Sequence, residues 1–383
     1  MNILIFVIIL FVLVVGHEMG HFSAAKFFGI RVDEFGFGWP PKIFGIKKGE
    51  TEYSFNLLPI GGFVKIFGED PNDENTRGPD ASRSFVNKPK SKQAVVLLAG
   101  VIANFLLAWL LFSFGLMSGL PMSAGSQPAN FDLQNINLTI VQVAKGSSAE
   151  EAGLRVQDKL IFAKSGYDSI SDFPPEVFQD FVLNHQNQEI EIGYLRGKSE
   201  FEKGLTISQI LNEQNDKVIY VTVIPSIYNQ TDDRPSIGIA MDTIGFIKLS
   251  FFSALVEGMK IDWNVTKGTV IGLYTLIADG IKGEGSLSSV SGPVGMVGIV
   301  GDAHKFGFAY LLSFAAIISV NLAIINLIPF PALDGGRLLF LFIEKIKGSR
   351  INPKIANTAN MIGFVILILL MLLVTYHDIV NLI

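Results

Sequence analysis

The chain has 383 residues, 49% of them hydrophobic and 17% charged. Soluble domains carry about 25% charged residues, so this composition excludes a fully soluble or disordered chain; the net charge of −5 argues against a nucleic-acid binder. Cysteine is absent, which excludes a disulfide framework, a thiolate metal site and a Cys nucleophile, and leaves His, Asp or Glu to hold any metal.

A helix needs about 20 mostly apolar residues to cross a bilayer core, and four stretches qualify. The first runs from Asn2 through ILIFVIILFVLVVGHEMGHFSAAKFFG. It lacks the basic start and small-residue cleavage site of a secretory signal peptide. Its second half carries His17-Glu18-Met19-Gly20-His21. On a helix, positions i and i+4 share one face, so two imidazoles can reach one Zn²⁺ while the Glu between them activates water. Ionisable groups inside an apolar helix are costly and mark function. Next comes an extended run, Phe55 to Ile66, in which Gly61-Gly62 allow a bend or a close approach. An exposed edge there could hold an unwound peptide by strand addition. The second span covers about Ala94 to Leu120.

A composition shift at Pro121 to Pro128 marks a domain start. Residues 123–243 hold 9 Lys and Arg against 17 Asp and Glu, unlike the near-balanced remainder. Within this block Leu138–Val143, Leu160–Ala163, Glu189–Leu195 and Lys217–Pro225 read as strands. Ser148–Gly153 and Pro175–Asn184 read as helices. The run KGSSAEEAGLRVQDKLIFAKSG resembles a PDZ domain of the bacterial protease-associated kind through Ser148, Ala149, Ala152, Gly153, Leu154 and Asp158. It departs at Val156-Gln157, where Pro-Gly is usual, and at Lys164-Ser165-Gly166, where Asn-Gly is usual. That resemblance implies recognition of extended peptides at a sheet edge.

Residues 246–282 alternate apolar runs with Glu257, Lys260, Asp262, Lys267 and Asp279, which suits an interfacial amphipathic helix better than a fifth span. The third span covers about Phe306 to Ile328 and carries the polar Asn321 and Asn326, able to bond substrate backbone or neighbouring helices. It runs into Pro329-Phe-Pro-Ala-Leu-Asp334-Gly-Gly-Arg337. The prolines must break the helix, and Gly335-Gly336 are expected to allow a tight turn. The fourth span covers about Asn360 to Tyr376. Arg83, Lys88, Lys90 and Lys92 precede the second span, and Arg337, Lys345, Lys347, Arg350 and Lys354 follow the third. The positive-inside rule places both clusters in the cytoplasm. Asp334 then lies at the depth of His17 and His21, and is the expected third ligand.

His17–His21 with Leu333-Asp334-Gly335 resembles the site-2 protease family of intramembrane zinc proteases. The inserted PDZ-like block points to the bacterial members that cut anti-sigma factors. Tyr53-Ser-Phe-Asn-Leu-Leu-Pro-Ile-Gly-Gly-Phe-Val-Lys65, Ser291-Gly-Pro-Val-Gly295 and Asn321-Leu-Ala-Ile-Ile-Asn326 carry the resemblance across most of the chain. It implies an α-helical polytopic membrane protein with four transmembrane helices, a membrane-associated β-loop and an inserted extracytoplasmic α+β PDZ-like domain. The expected division is 1–120, the first two spans with a cytoplasmic β-loop; 127–242, the PDZ-like domain; 243–305, an amphipathic connection; and 306–383, the last two spans. Expected roles are Glu18 as catalytic base, His17, His21 and Asp334 as ligands of one Zn²⁺, and Asn326, Asn321, Gly61, Gly62 and Phe63 as substrate contacts. The expected partners are single-pass membrane proteins, membrane lipid and, at the PDZ-like domain, an extended peptide or C-terminal tail; the expected location is the bacterial inner membrane. A metal transporter or a non-proteolytic scaffold is the alternative, but neither needs Glu18.

Overall fold

The computed structural model describes residues 2–70, 73–126, 131–171, 173–196, 218–226, 235–283 and 292–382. The chain forms two compact units, one of residues 1–115, 250–304 and 310–383, the other of residues 116–249 with 305–309. The larger unit begins with α1 (Asn2–Phe27), β1 (Val32–Lys48), β2 (Thr51–Ile66), α2 (Asp73–Arg77) and α3 (Lys90–Ser118). The smaller unit follows with β3 (Leu120–Ser123), β4 (Gln134–Val143), α4 (Ser148–Glu151), β5 (Lys159–Ser165), β6 (Asp168–Ser171), α5 (Pro175–Asn184), β7 (Ile190–Leu195), β8 (Ile219–Val223) and β9 (Ile239–Ile247). The chain then continues through α6 (Phe251–Lys282), α7 (Pro293–Lys305), α8 (Phe308–Leu327), α9 (Asp334–Lys347) and α10 (Pro353–Leu382).

Among the described residues four helices are long and apolar enough to cross a membrane: α1, α3, α8 and the stretch Pro353–Val380 of α10. At 1.5 Å per residue, the 26 residues of α1 extend roughly 39 Å, more than the hydrocarbon thickness. The last helix begins earlier than its apolar run suggests. Pro353 is tolerated in a first turn, and the Asn352 side chain accepts from the Lys354 N–H at 2.9 Å. Leu13 and Ile9 of α1 pack with Ala315 and Ile318 of α8. Ala108 and Phe112 of α3 pack with Ala316, Val320 and Ile324 of α8. Small residues at such contacts let helix backbones approach, which is how helices associate in lipid.

The β1–β2 pair is more folded than a simple hairpin. Residues of β1 near Phe35 have two sets of partners: Phe35 faces Val64 on one side and Tyr53 on the other, and Gly36 faces Phe63 and Ser54. The tip closes through Lys48 and Thr51. Residues 62–66 pair with β1 alone, so among the described residues their other edge has no strand partner. Phe35, Val64 and Ile66 pack with Ala25, Val96 and Leu97, fixing this edge beside α1 and α3.

Helix α6 has its polarity reversed. Glu257, Gly258 and Asp262 are buried, while Phe252, Val256, Trp263, Ile271 and Tyr274 are exposed. A helix with apolar residues outward and carboxylates inward suits an apolar surrounding. Gly258 is needed at its site, because a Cβ there would lie 2.3 Å from Ser113 Oγ of α3.

The smaller unit is a seven-stranded sheet of order β3-β9-β4-β5-β7-β8, with β6 paired to β5. Phe178 and Val182 of α5 pack on Ile140, Leu160, Ile190 and Ile192. Helix α5 starts at Pro175, as its proline and periodicity suggest. Lys164 and Ser165 end β5, and Gly166, at φ 58°, makes the β5–β6 turn with Tyr167. Strand β9 lies outside the elements read from sequence. It pairs with β4, about a hundred residues earlier, and completes the sheet. Ser291 and the span 197–217 lie outside the described residues, as do the ends of the 217–225 strand reading at Lys217 and of the linker at residues 127–130.

Candidate metal centre

His17 and His21 share the buried face of α1, one turn apart, with their Nε2 atoms 3.1 Å from each other. Asp334 joins them from the start of α9. Its Oδ2 lies 3.1 Å from His17 Nε2 and 3.2 Å from His21 Nε2. Among the described residues these three form the one group of His and acidic side chains placed to hold a metal. The donor atoms make a nearly equilateral triangle. Ligands about 2.1 Å from a tetrahedral zinc ion stand roughly 3.4 Å apart, so the triangle has the size and the N₂O chemistry of a three-ligand zinc site. The chain has no cysteine thiolate to compete.

Local backbone chemistry explains how Asp334 arrives there. Pro329 and Pro331 end α8 at Leu327. Ala332 then takes a left-handed conformation, φ 77°, which costs a non-glycine residue of order 1–3 kcal/mol. The loop is held by Asn360, whose Oδ1 accepts from the Ala332 N–H at 3.1 Å. The expectation that Gly335-Gly336 make the turn is corrected: both are helical, and they are there for space. A Cβ on Gly335 would lie 2.2 Å from the Ile328 carbonyl oxygen, and one on Gly336 would lie 2.2 Å from that of Phe330. Leu333, not Asp334, occupies the N-cap position, and the Asp334 carboxylate is directed to the imidazoles.

Helix α3 supplies the second layer. His21 Nδ1 donates to the Val96 carbonyl oxygen at 2.8 Å. Asn104 meets His17 Nδ1 at 3.2 Å. Gly100 lies between them, and a Cβ there would be 2.3 Å from His21 Nε2 and 2.8 Å from His17 Cε1. On the facing helix, Gly20 lets α1 touch the Ala99 carbonyl of α3. None of these α3 residues was read as functional from the sequence. The available signal was a Gly and an Asn four apart on one helical face.

The triad opens into a cavity of about 660 Å³ lined also by Glu18, Gly62, Phe63, Asn326 and Arg337. Arg337 pairs with Glu69 beside it. Gly62 lies close to α1, with its missing Cβ 3.5 Å from Glu18 Cγ. Gly61, at φ 85°, is next to this wall without lining it. Asn321 also lies outside the lining; its Oδ1 accepts from Thr269 Oγ1 of α6 at 3.0 Å. His185 is elsewhere, beside Asp168 in the smaller unit.

Membrane-length helices around a cavity with a histidine–aspartate cluster define a membrane-embedded metalloenzyme. Comparison with known proteins makes the class specific. The model for Peptidase family M50 matches residues 5–370, and the chain belongs to that family. It is a site-2-type zinc metalloprotease, and zinc is its cofactor. A Clostridium perfringens protein with a zinc metalloprotease name is 33% identical over 369 residues, covering 96% of this chain and 95% of its own length. The regulator of sigma-W protease RasP of Bacillus subtilis is 29% identical, covering 99% of this chain and 98% of its own. The zinc metalloprotease RasP of Geobacillus kaustophilus is also 29% identical, with 99% and 97% covered.

Proposed function

We propose that the chain hydrolyses peptide bonds within or near the transmembrane segment of single-pass membrane proteins, with His17, His21 and Asp334 as zinc ligands and Glu18 as the proton-transferring base. The carrying observation is the triangle of donor atoms, brought together from helices more than 300 residues apart in sequence and opening into a cavity that Glu18 lines. A zinc ion held by His17, His21 and Asp334 would supply an activated water and a Lewis acid for the scissile carbonyl. Glu18 takes a proton from the attacking water and delivers it to the departing amide nitrogen. Val96 and Asn104 hold the imidazole rings in place.

A substrate helix has its backbone groups internally paired and must unwind before cleavage. The unpartnered edge of residues 62–66 forms one cavity wall and can take the unwound segment as an added strand. Gly62 and Phe63 then contact it directly and Gly61 shapes the approach. Asn326 offers its amide to the same segment, whereas Asn321 acts through α6. Candidate substrates include anti-sigma factors, in line with the sigma-W name of one relative, and signal-peptide remnants.

Residues 127–242, within the smaller unit, are read as a PDZ-like extracytoplasmic domain taking an extended peptide or C-terminal tail. Its sequence match is supported by Gly153 at φ 81° and by the Ser147 side chain capping α4. The catalytic side faces the cytoplasm of the bacterial inner membrane, where the Lys and Arg clusters belong.

The test is co-expression of tagged single-pass proteins with the wild-type chain and with Glu18→Gln. A shortened fragment that requires Glu18 supports the reading. A fragment of the same size made by the Gln variant would sink it.

A further inference from the structure

Asn104 is completely buried in α3, and its amide faces Nδ1 of His17 at 3.2 Å. For Nε2 of His17 to present a lone pair to a metal, the ring proton must sit on Nδ1, which then donates. His21 already has this arrangement, with the Val96 carbonyl as acceptor. His17 therefore needs an acceptor from Asn104. The Oδ1 of Asn104 is buried without a hydrogen-bond partner, while Nδ2, itself a donor, faces the ring. Two donors cannot satisfy each other. Turning the amide by 180° exchanges Oδ1 and Nδ2 in almost the same positions. In the present orientation the far end of the amide has no partner to hold it there, so the demand of the ring decides.

We propose that Asn104 is a positioning residue: its Oδ1 accepts from Nδ1–H of His17 and fixes the ring with Nε2 aimed at the metal. Two features hold Asn104 in place. Ser319 Oγ of α8 donates to its backbone carbonyl at 2.8 Å. Gly100, one turn earlier, lets α3 lie against both rings. The residue is thus carried by the contact between α3 and α8 and touches neither substrate nor metal. The inference rests on His17 being a zinc ligand.

The experiment uses the full chain purified in detergent and measures zinc affinity by competition with graded chelators, together with the unfolding midpoint of the metal-free form. Asn104→Leu keeps the size and removes the acceptor; outer-shell losses of this kind lower metal affinity about 10–100-fold. Asn104→Asp keeps an acceptor and cannot donate, so its affinity should stay within a few-fold of wild type. Wild-type zinc affinity in Asn104→Leu, with His17→Ala releasing zinc, would overturn the Asn104 role alone. Wild-type affinity in His17→Ala would overturn the ligand assignment beneath it. If the Leu variant fails to accumulate, the Asp variant decides: wild-type affinity supports the acceptor role, and a loss beyond about 10-fold overturns it.

Discussion

Thr269 Oγ1 lies 3.0 Å from Asn321 Oδ1, so a hydrogen bond joins α6 to α8. Asn321 therefore does different work from Asn326, which lines the cavity. Hydrogen bonds between membrane helices are worth about 0.6 kcal/mol on average. Thr269→Val, Asn321→Leu and the double variant should show a coupling of that order in unfolding equilibria. Asn326→Ala should instead raise KM for a cleaved peptide and leave stability nearly unchanged. Equal kinetic effects at the two asparagines would contradict the distinction.

Ligand and base should separate in a zinc assay. Asp334→Ala removes one of three donor atoms and should weaken zinc binding by more than the roughly 10–100-fold of an outer-shell loss. Glu18→Gln should keep zinc within a few-fold and lower cleavage by roughly 10²–10⁴-fold. Bound metal counted by atomic emission, beside a fragment assay, reads both. Zinc loss in the Gln variant equal to that of Asp334→Ala would show Glu18 to be a ligand.

Gly100 and Gly268 make a matched pair. A Cβ at Gly100 meets the His21 ring at 2.3 Å, whereas a Cβ at Gly268 meets nothing within 4 Å. Gly100→Ala must turn the imidazoles or push α3 away, and zinc retention and proteolysis should both collapse. Gly268→Ala in the middle of α6 should stabilise by about 0.5–1 kcal/mol and leave zinc binding intact. The comparison needs only thermal unfolding in detergent and a metal count.

Glu50, at the turn between β1 and β2, receives hydrogen bonds from Lys26 at 2.5 Å and Arg83 at 2.7 Å. These partners, Lys26 foremost, hold its carboxyl below the ordinary value. A group depressed in the folded state stabilises above its unfolded pKa of about 4.3, and that contribution is lost as pH falls through the folded value. Glu50→Gln should therefore lower the unfolding midpoint at pH 7 and narrow the gap to wild type below pH 4. An unchanged gap across that range would show that the pairing contributes nothing.

The histidine pair and Asp334 are legible from sequence because their chemistry is restrictive: charged groups in apolar helices have few uses, and i, i+4 spacing has one geometry. The four long helices follow from length and apolarity alone. The supporting layer is harder to see. Asn104 is one amide in a span, and only the position of His17 makes it matter. Val96 acts through a carbonyl that every residue possesses. The double pairing of Phe35 and the return of β9 to β4 join segments far apart in the chain, which local periodicity does not encode. The reversed face of α6 misleads in another way, since its carboxylates look solvent-facing until burial is known.

His17 and Asp334 stand 317 positions apart. At a synthesis rate of about 5–20 residues per second, the ribosome needs roughly 15–60 seconds to travel from one to the other. For that interval the histidine pair has no carboxylate to complete it, although α1 is already made. The triad cannot assemble until the segment following α8 has emerged, so on the proposed ligand assignment a nascent chain that has not reached Asp334 should be inert towards its neighbours in the bilayer. On that assignment the arrival of α9 sets when the site is complete.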